Sequence, residues 1–198
     1  MTHPARLTFE SARLRYTPLS LEDIDLAIEQ WTDPEVVKFV ADRTYSEDEL
    51  REEMPTVTRR AGRGCIGIWA LTDKSSGDKV GSGLLLPLPV EADDTEWDLV
   101  QGDEIPNAEI EVGYVLTRKA WGQGYATEAC RRLITFAFEE TPLSEVVATI
   151  DPDNHASRRV LLKCGLTEEG PRRAYALTLP GFRITRRAWQ SMHREEAP

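Results

Sequence analysis

The sequence predicts a mixed α/β fold of the α+β type, in which helices flank a central sheet that is mostly antiparallel. Three observations predict it. Strand-like runs separated by short turns fill the middle of the chain, a long amphipathic segment at 125–138 is typical of a helix, and a β-branched run at 146–150 is typical of a buried strand. The 198 residues, 40% of them hydrophobic, fit one domain over residues 1–198.

The first third of the chain predicts a strand followed by three helices. Alternation marks a strand at 13–16, and Ser20 opens a helix with a pattern like a capping box. A second helix starts at Asp33, because the proline that follows is tolerated in a first helical turn. Ser46 begins a full capping box for a third helix, which Pro55 is expected to kink or divide.

The middle of the chain predicts a meander of strands with one insertion. Strands at about 66–72 and 80–86 are joined by residues 73–77, whose Asp, Ser and Gly favour a tight antiparallel turn. An irregular acidic insertion follows at about 87–107, and a third strand at about 108–116 leads into a glycine-rich turn.

The last third predicts alternating helices and strands. The helix at 125–138 has one buried face, formed by Ala126, Ala129, Cys130, Leu133 and Ala137. After the strand at 146–150, Asn154 starts a helix that Gly165 ends as a left-handed C-cap residue. Pro180 and Gly181 predict the turn of a final hairpin.

A net charge of −10 limits the classes of molecule that the chain is expected to bind. It argues against direct nucleic-acid binding and against anionic membranes, which need basic patches, and it suits a cationic small substrate or a basic peptide. No apolar run approaches the ~20 residues that span a bilayer. Residues 1–7 lack the apolar stretch of a signal peptide, so we expect a cytoplasmic protein.

Cysteine and histidine are too scattered to suggest a disulfide framework or a metal site. They occur at Cys65, Cys130, Cys164, His3, His155 and His193. An odd number of cysteines without paired spacing is typical of a reducing compartment. We therefore expect no metal.

Gly122 and Gly124 lie between the third predicted strand and the amphipathic helix. Glycine lets the main chain turn sharply and leaves room for a ligand, and the N–H groups at a helix start favour an anion such as a diphosphate. The Rossmann pattern does not fit, because it needs glycine where Thr127 stands, and the Walker pattern needs an absent Gly-Lys-Ser/Thr. Alone, the turn also fits a plain connection from strand to helix.

The sequence around this turn resembles the coenzyme A signature of the GNAT superfamily of N-acetyltransferases. The signature usually reads Gln/Arg-x-x-Gly-x-Gly/Ala, and here it reads Trp121-Gly-Gln-Gly-Tyr-Ala126, with tryptophan departing from the usual residue. That tryptophan and the Gly-Tyr-Ala-Thr-Glu-Ala run are similar to the RimJ/RimL-like branch of ribosomal-protein N-terminal acetyltransferases. Segments 13–19, 73–83 and 151–166 also resemble this branch, in matching order across about residues 8–190.

The resemblance implies acetyl-CoA as cosubstrate and implies its contacts. N–H groups of residues 122–127 would hold the diphosphate, and strand-like hydrogen bonds from residues 115–117 would hold pantetheine. The implied contact residues are Val115, Leu116, Thr117, Gly122, Gln123, Gly124, Tyr125, Ala126, Thr127, Asn154 and Ser157. In the family, the strand before the turn splays from its parallel neighbour, here about 146–150, and the thioester lies in the opening. Asn154 is equally expected as a helix N-cap.

Two carboxylates on the strand before the turn are candidates for the general base. Glu109 and Glu111 are two residues apart and share one face, while Ile110, Val112 and Tyr114 take the other face, as a core would. A base helps because a primary amine with a pKa near ~10 is mostly protonated at neutral pH. Glu111 is the first choice, since it matches an acidic position common in the branch. A solvated strand face is the alternative for each.

The resemblance also implies that Ser157 protonates the leaving thiolate. Many family members use a tyrosine on this helix, but Leu161 occupies that place here. A serine near a helix start could equally be a local cap partner. The oxyanion is expected to bind a main-chain N–H near Val115.

The acceptor is expected to be cationic. No Lys or Arg occurs from Val80 to Thr117, whereas the same stretch carries Glu91, Asp93, Asp94, Glu96, Asp98, Asp103, Glu104, Glu109 and Glu111. Together with Trp97, these acids predict recruitment of a peptide N-terminus, a polyamine or an aminoglycoside, and a solvated surface loop is the alternative. The branch favours a protein or peptide α-amine.

Two other functions stay open from the sequence. One is acetylation of a small molecule, and the other is a non-catalytic acyl-CoA-binding sensor, because one fold serves many functions. The resemblance also implies that homodimers are frequent, although the sequence contains no recognisable interface motif.

Overall fold

The computed structural model describes residues 6–195, which form eight strands and six helices. The strands are β1 (Phe9–Glu10), β2 (Leu14–Pro18), β3 (Gly67–Asp73), β4 (Lys79–Pro87), β5 (Ile110–Leu116), β6 (Glu145–Thr149), β7 (Thr167–Ala174) and β8 (Leu177–Thr185). The helices are α1 (Ile24–Trp31), α2 (Pro34–Val37), α3 (Glu47–Val57), α4 (Tyr125–Glu140), α5 (His155–Lys163) and α6 (Arg186–Glu195). Residues 1–5, with His3, lie outside this range. None of the helices described is both long and apolar enough to cross a membrane.

All eight strands form one sheet in the order β1-β2-β3-β4-β5-β6-β8-β7. Neighbouring strands are antiparallel except β5 and β6, which are parallel. That pair shares a single register position, Glu111 opposite Val147, although both strands continue beyond it. The predicted fold class is confirmed, and a cleft opens between the carboxyl ends of β5 and β6.

The main core lies between the sheet and α4. The predicted apolar face of α4 is buried at Ala129, Cys130, Leu133 and Ala137, while Ala126 in its first turn is half-buried. Burying a side chain such as Leu133 contributes roughly 1.5–3 kcal/mol. This face fixes α4, and with it the turn before the helix, against the sheet.

The third helix begins where its capping box predicts. The Ser46 hydroxyl accepts from the Glu49 N–H (3.3 Å), and the Ser46 N–H donates to the Glu49 carboxylate (2.7 Å). Pro55 does not divide α3, so the expected division is wrong, while the expected kink stays a prediction. Pro55 lies in the last turn of a helix that ends at Val57, where the loss of its own N–H bond leaves the earlier turns intact.

The final hairpin turns earlier than the sequence predicts. Tyr175 and Ala176 join β7 to β8, whereas Pro180 and Gly181 lie inside β8, so the predicted turn position is wrong. β8 pairs with β6 along one edge and with β7 along the other, and these two ladders outweigh the local turn preference of Pro-Gly. The helix α6, which follows β8, was not predicted.

Candidate active site

Gly122 and Gly124 form a left-handed turn directly before α4. Their φ angles are +73° and +82°, and a Cβ added at Gly122 would meet nothing within 4 Å. No group within residues 6–195 accepts a hydrogen bond from the N–H groups of residues 122–127. These consecutive donors at the start of a 16-residue helix are available to an anion, and the helix dipole favours negative charge there.

Arg13, directly before β2, connects the glycine turn and α4 to the sheet. Its Nη1 donates to the Gln123 carbonyl (2.9 Å), and its Nε pairs with Glu128 on α4 (2.7 Å). Burial acts to raise the pKa of Glu128, but hydrogen bonds from Arg13 and Ser11 outweigh burial and lower the pKa. The guanidinium also lies 4.4 Å from the centre of the Tyr125 ring. Sequence reasoning missed Arg13 because these partners are 110 and 115 residues away along the chain.

β5 presents only part of its main chain to the cleft. The Thr117 N–H donates to a β4 carbonyl (3.0 Å), so strand alternation turns the main-chain groups of Leu116 toward the open edge. The Val115 carbonyl accepts from Gln30, a buried residue of α1 (2.6 Å), and the Leu116 carbonyl accepts from the Trp121 indole (3.1 Å). Of the three expected pantetheine contacts, Leu116 is therefore the one whose N–H faces the cleft.

Glu111 lies at the vertex of the cleft, where β5 and β6 make their register pair. It is 6% exposed, and its carboxylate accepts a hydrogen bond from the Tyr175 hydroxyl. Burial disfavours the charged form and raises the pKa of Glu111 to about 7, although the Tyr175 hydrogen bond acts in the opposite direction. A carboxyl that titrates near neutrality is suited to accept a proton in catalysis.

A strained turn places the Tyr175 hydroxyl beside Glu111. Tyr175 and Ala176 have φ angles of 52° and 55°, a conformation that costs roughly 1–2 kcal/mol for each non-glycine residue. Their N–H groups donate to the carbonyls of Pro89 and Val90 (3.0 and 3.2 Å). The Tyr175 ring packs against a small apolar cluster, Leu88, Val147 and Ala174. The tip of the β7–β8 hairpin thus reaches back to the segment after β4, a contact that no sequence pattern indicated.

Glu109, two residues before Glu111, belongs to an ion-pair network. Its carboxylate pairs with Arg172 on β7 and with Arg183 on β8 (3.5 Å). Both arginines also pair with Glu169. Two guanidiniums therefore already hold Glu109, whereas the hydrogen-bond partner of Glu111 is a neutral hydroxyl, and the two candidate bases stand in different surroundings.

Ser157 lies in the first turn of α5, the helix that follows β6. Asn154 caps this helix through its Oδ1, which accepts from the Ser157 N–H (3.0 Å), so the N-cap expectation is confirmed. The Ser157 hydroxyl lies 2.9 Å from the hydroxyl of Tyr114, on the face of β5 opposite Glu111. Burial raises the pKa of Tyr114 well above its usual value, so this hydroxyl stays protonated. Leu161 is buried, and Tyr114, expected only as a core residue, places its hydroxyl beside that of Ser157.

The acidic insertion between β4 and β5 is anchored at several points. Val100 is fully buried, and the Glu104 carbonyl accepts a main-chain hydrogen bond from the turn before β3 (3.0 Å). Glu91 pairs with Arg173 on β7 (2.7 Å), and the exposed Asp98 pairs with Arg59 (3.7 Å), whereas Asp93 is exposed to solvent. The insertion therefore holds fixed carboxylates beside the hairpin tip and others that face solvent.

The cleft has three chemically distinct parts. Anion donors stand at its open end, a carboxyl–hydroxyl pair stands at its vertex, and a hydroxyl pair stands on the other face of β5. In the part of the chain that the structure covers, no cluster of three or more His, Cys, Asp or Glu side chains could hold a metal ion. Such a site can bind a diphosphate and move protons on both faces of one strand.

Comparison with known proteins gives a consistent result. Residues 13–167 match the family model described as the acetyltransferase (GNAT) domain. The chain is 32% identical over 203 residues to the FsC-acetyl coenzyme A-N(2)-transacetylase of Aspergillus fumigatus, and the match covers 98% of this chain and 83% of that protein. Over 67 residues, 34% of this chain and 37% of the relative, it is 42% identical to YdaF of Bacillus subtilis, provisionally named a ribosomal N-acetyltransferase.

A solved structure shares the fold. The aminoglycoside acetyltransferase AAC(6')-Ib in complex with coenzyme A matches with a TM-score of 0.69 at 16% identity, covering 92% of this chain and 99% of that chain. At this identity the likeness shows the fold and leaves the substrate open.

Proposed function

The chain belongs to the acetyltransferase (GNAT) domain family, and from this premise we propose that it acetylates the α-amine at the N-terminus of a protein or peptide. Family membership makes it an acyltransferase, and the family uses acetyl-CoA. A non-catalytic sensor is therefore not the function that the family supports. We treat residues 1–198 as one such domain with an acidic insertion, because one sheet and one main core include most of its elements.

The observation that carries the proposal is the cleft between β5 and β6. The free N–H groups of residues 122–127 are suited to a diphosphate, and the open edge at Leu116 is suited to the amides of pantetheine. An acyl thioester held at these two places would lie with its carbonyl toward the vertex. Positioning alone can supply much of the rate, because effective molarities for well-oriented groups are large.

Glu111 is the proposed general base. It lies at the vertex, where an attacking amine would meet the thioester, and its buried carboxyl titrates near neutral pH. Because the amine is mostly protonated in water, a nearby base assists attack by accepting a proton from the nitrogen. Glu109 is the weaker candidate, since Arg172 and Arg183 already hold its carboxylate.

Ser157 is the proposed proton donor to the leaving thiolate. Its hydroxyl stands on the opposite face of β5 from Glu111 and is paired with the Tyr114 hydroxyl (2.9 Å). Proton removal and proton donation would then take place on different faces of the same strand. This separation keeps the base from competing with the acid for one proton.

The α-amine is the first choice of acceptor for two reasons. The RimJ/RimL-like branch is supported by the 67-residue stretch shared with YdaF, and the acidic insertion would attract a positively charged N-terminus. Carboxylates such as that of Asp93 face solvent, where an incoming cation could reach them.

A small-molecule amine is the second candidate. The whole-length relative is named for transfer at an N(2) position of FsC, and Glu111 is buried under the Tyr175 hydroxyl. A buried carboxylate is more accessible to a small acceptor than to a folded protein surface.

The test is an amine panel with acetyl-CoA, in which released thiol is followed and products are weighed by mass spectrometry. We expect peptides with a free N-terminus to gain one acetyl group on the α-nitrogen, and N-formylated copies of the same peptides to remain unmodified. Turnover only with polyamines or aminoglycosides would show that the acceptor is a small-molecule amine, the second candidate. Absence of thiol release with every amine, together with no heat on acetyl-CoA titration, would contradict the proposed function.

A further inference from the structure

The Tyr175 hydroxyl is the only hydrogen-bond partner of the Glu111 carboxylate among residues 6–195. Glu111 is 6% exposed, whereas Tyr175 is partly exposed at the hairpin tip. Because the tyrosine hydroxyl occupies Glu111 Oε1, a proton can reach that oxygen through Tyr175.

We propose that Tyr175 is a catalytic residue that relays a proton from the acceptor amine to Glu111. The relay rests on the proposed function and deepens it, since it adds the group that touches the amine. A hydroxyl suits this role because it can accept one proton and donate another at the same time.

The proposed step moves the acetyl group from sulfur to nitrogen. The amine nitrogen forms the C–N bond to the acetyl carbon, the C–S bond breaks, and its electron pair leaves on sulfur. One N–H proton passes to Tyr175 Oη while the original Tyr175 proton passes to Glu111 Oε1, so the tyrosine is unchanged and Glu111 is protonated. Ser157 supplies the proton of the thiolate and regains a proton from solvent, and Glu111 releases its proton to solvent after the product leaves, so both groups return to their starting state.

The hairpin tip holds the hydroxyl in place. Both turn residues keep a positive φ, and both of their N–H groups are fixed to the carbonyls of Pro89 and Val90. Backbone strain of this kind persists only where the surrounding structure maintains it, and it concentrates at functional sites. A glycine in this turn would relieve the strain but would not present a hydroxyl to Glu111.

Few charges lie near the relay. Tyr175 from the hairpin faces Glu111, and Asp94 from the acidic insertion is the next negative charge near Tyr175. On the strand of Glu111 itself, Glu109 is occupied by Arg172 and Arg183. The pH dependence of turnover in this region should therefore follow the Glu111–Tyr175 pair.

The test compares Tyr175→Phe, Glu111→Gln and the double variant with the wild-type protein. Phenylalanine keeps the ring in its apolar cluster and removes only the hydroxyl. Tyr45→Phe is the matched control, because no group in the described chain is hydrogen-bonded to the Tyr45 hydroxyl. For each protein we would measure kcat from pH 5 to pH 10 with the best amine of the panel, and the heat of acetyl-CoA binding.

A relay predicts two results. Tyr175→Phe lowers the high-pH plateau of kcat by about tenfold or more, because general-base transfer is lost even when Glu111 is fully ionised. The double variant loses no more activity than Glu111→Gln alone, since both changes interrupt one path. Tyr45→Phe keeps the wild-type plateau.

A residue that only stabilises the Glu111 charge would behave differently. Loss of its hydrogen bond would raise the pKa of Glu111 and move the acidic limb of the profile to higher pH, but the plateau would remain at the wild-type level. That result, with normal acetyl-CoA heat, would overturn the relay while leaving the proposed function intact. Additive losses in the double variant would also overturn it, and absence of acetyl-CoA heat in the wild-type protein would contradict the proposed function itself.

Discussion

The two ends of the cleft are built in different ways. The proposed phosphate end consists of main-chain N–H groups presented by a glycine turn and a helix start, all within residues 122–127. The proposed acyl end consists of two side chains, Glu111 and Tyr175, that lie 64 residues apart along the chain and meet through a strained hairpin. Main-chain donors are present whatever the side chain, except at proline, whereas the acyl end depends on particular side chains.

Because the two ends use different groups, acetyl-CoA binding and acetyl transfer should respond to different substitutions. Changes at the phosphate end should alter acetyl-CoA affinity and leave kcat nearly constant. Changes at the acyl end should alter kcat and leave acetyl-CoA affinity nearly constant.

Glu111→Gln tests the acyl end. The amide has the shape of the carboxylate but cannot accept the proton, so we expect kcat to fall by about 10²–10⁴-fold. The heat of acetyl-CoA binding should remain at the wild-type value. Glu109→Gln is the matched control, and an equal loss in both variants would show that the two carboxylates are not separated as the structure indicates.

The same substitution should stabilise the protein at high pH. The Glu111 carboxyl has an ordinary pKa of 4.5 and a folded pKa of about 7, so the folded state holds more protons between these values. Wild-type stability therefore decreases as pH rises through this window, by an amount of about 3 kcal/mol. Urea unfolding should find Glu111→Gln more stable than wild type at pH 8 and nearly equal at pH 4. A stability difference that does not change with pH would contradict the burial argument.

Gly124→Val tests the phosphate end. A φ of +82° costs a β-branched residue roughly 1–2 kcal/mol or more, so the turn should relax away from its geometry. We expect acetyl-CoA to bind about tenfold more weakly, with kcat at saturation largely kept. The control is Gly102→Val, where φ is +77° and nothing lies within 4 Å of an added Cβ. Weaker acetyl-CoA binding in that control would mean that the loss is general destabilisation.

The acidic insertion should produce the smallest effect. Because its exposed carboxylates are screened by salt, the KM of a cationic acceptor should rise a few-fold, on the order of 2–5, when ionic strength increases tenfold. The KM of acetyl-CoA should change less. Replacing Asp93, Asp94 and Asp98 by asparagine should remove most of the salt dependence. A triple variant with the wild-type salt response would identify the insertion as an ordinary solvated surface.

Sequence patterns within a few residues correctly predicted helix faces, helix caps and the glycine turn. The α4 face, the Ser46 capping box, the Asn154 cap and the left-handed turn at Gly122 and Gly124 all follow from residues within a few positions of one another. The order and type of most elements could therefore be predicted from the sequence.

Contacts between distant residues could not be predicted in this way. Arg13 reaches Glu128 across 115 residues, and Gln30 reaches Val115 across 85. Pro180-Gly181 is a strong local turn signal, yet two strand ladders override it, and the turn falls at Tyr175 instead. For this reason the sequence predicted Glu111 at the acyl end but not its hydrogen-bond partner Tyr175.

The most direct measurement follows the backbone amide resonances of residues 122–127 by ¹⁵N–¹H correlation spectra during titration. The account predicts that acetyl-CoA moves these resonances strongly at low concentration, while acetyl-pantetheine, which lacks the diphosphate, leaves them nearly in place. Saturation with acetyl-CoA that leaves the Gly122–Thr127 amides unmoved would contradict the claim that they hold the diphosphate.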